Sequence, residues 1–127
     1  MNTTFRAIII DDSKVDAELI LYEISKTNNV EYVIIDNEND LKQSLSEKYW
    51  DVVLCDFTMP NFSPYIVLNI LREYDLDIPL IVISGTIGEE KAINLLKAGC
   101  TDFIMKSNMT RLTGVIDREI KDAGIRK

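Results

Sequence analysis

Short apolar runs that end abruptly in a carboxylate place the strongest constraint on how this chain can fold. Ala7-Ile8-Ile9-Ile10 leads into Asp11-Asp12, and Val52-Val53-Leu54-Cys55 leads into Asp56. Apolar runs of this length, broken at once by charge, are the pattern of buried parallel strands emerging at the carboxyl edge of a sheet. If the two strands are neighbours, three acidic side chains meet in one crevice. Carboxylates that close cannot all stay ionised unless a cation joins them. The chain contains no histidine, so a hard, oxygen-seeking ion such as Mg2+ is the expected guest.

Strand-like and helix-like segments alternate throughout. Phe5–Asp11 is predicted as a first strand and Ser13–Lys26 as a helix, with Ala17, Ile20, Leu21 and Ile24 at helical spacing. Tyr32–Asp36 is a second strand, and a polar helix around Asp40–Lys48 is anchored by Leu41 and Leu45. Asp51–Asp56 is the third strand; beyond the loop Phe57–Phe62, Ser63 can cap a helix that has Pro64 at its first position and runs to about Tyr74. Pro79–Ser84 is a fourth strand, Glu89–Ala98 a helix closed by Gly99, Asp102–Met105 a short fifth strand and Arg111–Ala123 a last amphipathic helix. Strands and helices in strict alternation give an α/β fold, a doubly wound parallel sheet with helices on both faces. The flavodoxin-like strand order 2-1-3-4-5 is the natural choice, because it sets strands one and three side by side at the switch point.

The 127 residues are expected to form one domain, 1–127, with no output domain within the sequence. A net charge of −7 with only 14 scattered basic residues argues against a nucleic-acid surface. No apolar stretch approaches the roughly 20 residues of a membrane span, and the N-terminus lacks the pattern of a signal peptide. The cytoplasm is therefore the expected compartment. Cys55 and Cys100 read as small buried thiols rather than a disulfide.

Further polar residues fall at strand ends. Ser84 closes the fourth strand, Lys106 follows the fifth, and Thr58 lies just past Asp56. Ligands of open α/β sheets bind outside the carboxyl ends of the strands, so Asp11, Asp12, Asp56, Ser84 and Lys106 should converge. Each type suits phosphoryl transfer. Carboxylate-held Mg2+ neutralises charge on the phosphoryl oxygens. Asp56 can attack as the anion to form an acyl phosphate, and Ser84 and Lys106 supply fixed donors. A single strand-end aspartate is more often a helix cap or turn former; the joint occurrence at four strand ends is what favours a site.

Together, Asp11-Asp12, Asp56-Phe57-Thr58-Met59-Pro60, Ser84-Gly85-Thr86, Ala98-Gly99 and Phe103-Ile104-Met105-Lys106 resemble the receiver domain of two-component response regulators. The resemblance covers nearly the whole chain. It implies that Asp11, Asp12, Asp56 and the backbone carbonyl of Thr58 hold Mg2+. It also implies that Asp56 takes phosphate from a sensor histidine kinase or phosphotransfer protein. Ser84 and Lys106 would contact that phosphate, Phe103 would be an aromatic switch moving with Ser84, and Thr58 and Thr86 would tune its lifetime. The surface formed by the fourth helix, fifth strand and fifth helix would then regulate a downstream protein. The sequence departs from the family in placing Ser107, not proline, after Lys106, so a trans bond and a differently shaped loop are expected there. Its Ser84–Glu90 and Lys106–Met109 stretches resemble receivers attached to sensory kinases.

Two other classes fit less well. A metal-dependent phosphohydrolase with an aspartyl-phosphate intermediate would need an acid at position 58, where Thr58 stands. A non-phosphorylated interaction module would have no use for all five site residues.

Overall fold

A computed structural model describes residues 3–74, 77–85 and 88–126, without the side chains of residues 3 and 123–126. The strands are β1 (Thr3–Ile10), β2 (Asn28–Ile35), β3 (Val52–Asp56), β4 (Leu80–Ser84) and β5 (Asp102–Met105). They alternate with helices α1 (Lys14–Ser25), α2 (Glu38–Glu47), α3 (Pro64–Glu73), α4 (Glu89–Ala98) and α5 (Leu112–Arg126). All pairings are parallel and the order is β2-β1-β3-β4-β5, as the sequence pattern predicts.

Strand alternation sorts the core into two layers. Ile8, Ile10, Val53, Cys55, Leu80 and Val82 face the helices carrying Leu41, Val67, Leu71 and Leu95, namely α2, α3 and α4. Ala7, Ile9, Leu54, Ile81, Ile83 and Ile104 face Ala17, Ile20 and Ile24 of α1 and Leu112, Val115 and Ile116 of α5. Every residue of β3 and β4 is buried, which is why both strands read as continuous apolar runs. Both thiols lie in the first layer. Burial pushes the Cys55 thiol far above its usual range and the Cys100 thiol up to about 11.

Local chemistry fixes the helix starts. The Ser13 hydroxyl accepts from Asp16 N, Asn37 Oδ1 from Asp40 N, and Ser63 Oγ from Ile66 N, with Pro64 opening α3. Helix α4 ends at Gly99, whose φ of 123° lies where side chains are strained. A Cβ there would also meet Arg72 Nη2 at 2.9 Å, because that guanidinium donates to the Ala98 carbonyl and caps the helix end.

Most element ends lie within one to three residues of expectation, but the start of β2 and the approach to α5 differ in kind. β2 begins at Asn28, ahead of the predicted Tyr32, because backbone pairing with Thr3–Arg6 orders a stretch without apolar alternation. A 3-10 helix, Lys106–Arg111, intervenes before α5. The Lys106–Ser107 bond is trans as expected, since no described peptide bond is cis, and Asn108 breaks the short helix at φ −134°, ψ 43°.

Candidate functional site

The register that builds the sheet also builds the site. Ile10 pairs with Cys55, Asp56 with Ile83, and Ser84 with Met105, so Asp11, Asp56, Ser84 and Lys106 follow one another across the carboxyl edge. Asp12 completes the group on the β1–α1 loop. One carboxylate oxygen each from Asp11, Asp12 and Asp56 lies within 4.8 Å of the others. Asp12 is exposed, whereas Asp11 and Asp56 are 3% and 4% accessible and Ser84 1%.

Several of these buried atoms have nothing to bond to. Asp11 Oδ1 accepts from Ser13 N at 2.9 Å, but Asp11 Oδ2, Asp56 Oδ1 and Ser84 Oγ have no hydrogen-bond partner among the described residues. Leaving a buried polar group unpaired costs about 1–3 kcal/mol, more for a charge. The Asp11 carboxyl is pushed up to about 6, first by burial and then by the neighbouring Asp56 charge, against the lowering effect of the Ser13 N–H and Lys106. A divalent cation would reverse both problems by giving the oxygens a ligand and the charges a counter-ion. The residues present fit a hard cation.

Lys106 Nζ stands 3.5 Å from Asp56 Oδ1, close enough for charge attraction but without a hydrogen bond. Its hydrogen bond goes to Asp16 Oδ2 at 2.8 Å, an acid on the first turn of α1. Burial draws the lysine down, but the Asp16 bond and the charges of Asp56, Asp16 and Asp11 outweigh it and hold the ammonium above its usual value. Thr58 is exposed and its hydroxyl donates to Asp56 Oδ2 at 3.3 Å. Phe103 is partly buried on the α2–α4 layer of the sheet. Thr86 lies outside the described residues. Asp16 is the residue that sequence reasoning missed. Its partner is 90 positions away, so no spacing rule links them.

The family model of the response regulator receiver domain matches residues 7–117. This chain belongs to that family. The receiver is 30% identical over 121 residues to the transcription factor SKN7 of Saccharomyces cerevisiae, covering 93% of this chain and 19% of that protein. It is 28% identical over 115 residues to the transcriptional regulatory protein NatR of Bacillus subtilis, covering 89% of this chain and 48% of the relative. The receiver therefore spans from about a fifth to half the length of these relatives. Its fold matches the receiver domain of Francisella response regulator 1452 with a TM-score of 0.80 at 22% identity, covering 93% of this chain and 98% of that one. Receivers of this family are signalling switches rather than enzymes, and no helix among the described residues is long and apolar enough to cross a membrane.

Proposed function

We propose that this receiver is a phosphoacceptor switch whose acceptor is Asp56. The observation that carries the reading is the set of buried, unpartnered atoms Asp11 Oδ2, Asp56 Oδ1 and Ser84 Oγ, gathered beside a lysine. A fold tolerates such a cluster where a ligand completes it.

An oxygen of the Asp56 carboxylate attacks the phosphorus of a phosphohistidine on a sensor kinase or phosphotransfer protein. The P–N bond breaks, and its electron pair leaves with the imidazole, which takes a proton from solvent. Asp11, Asp12, Asp56 and the Thr58 carbonyl would hold Mg2+, whose contribution is to neutralise phosphoryl charge. Ser84 Oγ and Lys106 Nζ donate to the transferred oxygens. Phe103, next to the strand end that carries Ser84, would follow that hydroxyl, and Thr58 and Thr86 would set how fast water reaches the acyl phosphate. The α4–β5–α5 surface would pass the change to a downstream protein in the cytoplasm, with no nucleic acid bound by this domain.

Incubation with Mg2+ and acetyl phosphate or a kinase tests this. A labile mass gain of one phosphoryl group, absent in Asp56→Asn, is expected. No gain with any donor would overturn the proposal, and rapid turnover of a phosphomonoester would point to a hydrolase instead.

A further inference from the structure

Lys106 has two acidic neighbours, and the one it bonds is not the acceptor. Its ammonium lies 2.8 Å from Asp16 Oδ2 and 3.5 Å from Asp56 Oδ1. Asp56 Oδ1 is buried without a hydrogen bond, although a lysine with three donors stands beside it. The Asp16 side chain is about a third exposed and that of Lys106 slightly less, so water can take over either partner if the pair separates. Leu19, Ile20 and Met109 line a cavity of about 70 Å3 against the pair, with Asp16 and Lys106 forming its remaining walls. These apolar groups limit solvent on one side and leave room for the lysine end to move.

We infer that Asp16 is a positioning residue that withholds Lys106 from Asp56 in the resting protein and surrenders it when a phosphoryl group arrives. The inference rests on the phosphoacceptor reading above. A phosphoryl group on Asp56 brings more negative charge than the Asp16 carboxylate and accepts through several oxygens. The ammonium, already within 3.5 Å of Asp56 Oδ1, then exchanges one partner for the other. Asp16 is left to water on the exposed side of α1. The exchange links the first turn of α1 to the chemical state of the acceptor through a single side chain. Backbone capping is untouched by it, since the Ser13 hydroxyl accepts from the Asp16 N–H and not from its carboxylate.

The test uses the full chain as wild type, Asp16→Asn and Asp16→Ala. First, the Lys106 side-chain nitrogen and Cε resonances are followed by NMR without any phosphodonor. They shift in both variants if Asp16 holds the ammonium, and unchanged signals overturn the inference. Second, the rate of phosphorylation by acetyl phosphate with Mg2+ is measured in each variant and again with Lys106→Met added. Freeing the lysine from a pair about a third exposed should speed phosphorylation about two- to fivefold, and the gain should vanish in the Lys106→Met background. An equal gain without the lysine would mean that Asp16 acts only as a negative charge repelling the donor, and a slower rate would mean that it assists; either overturns the inference. If wild type accepts no phosphoryl group at all, the functional reading fails while the Lys106 resonances still decide the pairing.

Discussion

Toward the amino end of the sheet, Arg6 Nε reaches Glu31 at 2.9 Å and Lys48 Nζ reaches the same carboxylate at 2.6 Å, all three half-exposed. At the carboxyl end, Asp11 and Asp56 lie buried, each with one oxygen that has no hydrogen bond among the described residues, as has the buried Ser84 hydroxyl. One region pairs charges that water would have satisfied anyway; the other leaves buried oxygens without hydrogen bonds. Exposed pairs of the first kind contribute little to stability. Groups of the second kind oppose folding, and they persist because the flanking strands bury apolar residues on both faces. The contrast separates surface charge that water already satisfies from a buried cluster that a ligand would complete.

The largest expected effect comes from removing one buried charge. Asp11→Asn keeps an oxygen for the Ser13 N–H and should make the protein, in EDTA at pH 7, about 1–3 kcal/mol more stable. Thermal melting reads this directly, and a lower Tm would break the comparison. Addition of Mg2+ to wild type comes next. Each tenfold excess over its Kd should add about 1.4 kcal/mol, a gain that Asp11→Asn largely loses. The sign of the pH dependence follows from the raised Asp11 carboxyl, at about 6. Above that pH the ionised acid opposes folding and welcomes the ion, so the Mg2+ gain in Tm is full above neutrality. Below about pH 6 the carboxyl takes its proton back, the ion-free protein recovers stability, and the Mg2+ gain shrinks.

Ser84→Ala should have a smaller effect of the same sign. Losing a buried, unpartnered hydroxyl stabilises by up to about 1 kcal/mol, while acetyl phosphate labelling slows. A large loss of Tm would show that the hydroxyl is satisfied after all. Glu31→Gln should do least. The Lys48 and Arg6 bonds hold this carboxyl below its usual range, yet the group is exposed. Neither Tm nor Mg2+ binding nor phosphorylation should change measurably.

Periodicity made most of the fold legible. Continuous apolar runs gave β3 and β4, helical spacing gave Ala17, Ile20 and Ile24 as the inner face of α1, and Ser63-Pro64 gave the start of α3. The start of β2 was hidden because an edge strand can be held by backbone pairing without apolar alternation. The 3-10 turn at Lys106–Arg111 was hidden for a similar reason. None of its residues is fully buried, so no packing period marks it. Within the site, the five converging polar residues were readable because strand ends share one edge in this topology. Asp16 was not, since a polar residue on the first helical turn is ordinary by itself, and only the folded chain brings Lys106 to it.

Finally, both of the chain's cysteines are shut inside one layer of the core, with their thiols pushed above the range in which they react. In the native protein they should ignore alkylating reagents until the sheet opens. Their slow labelling is thus a ready-made clock for opening at the centre of the molecule, and Cys55, adjoining Asp56, ticks beside the acceptor. The same silence leaves the surface free for chemistry of the experimenter's choosing. A single cysteine introduced on α1 or α4 would be the one to take a fluorophore or spin label, with no native thiol to remove first.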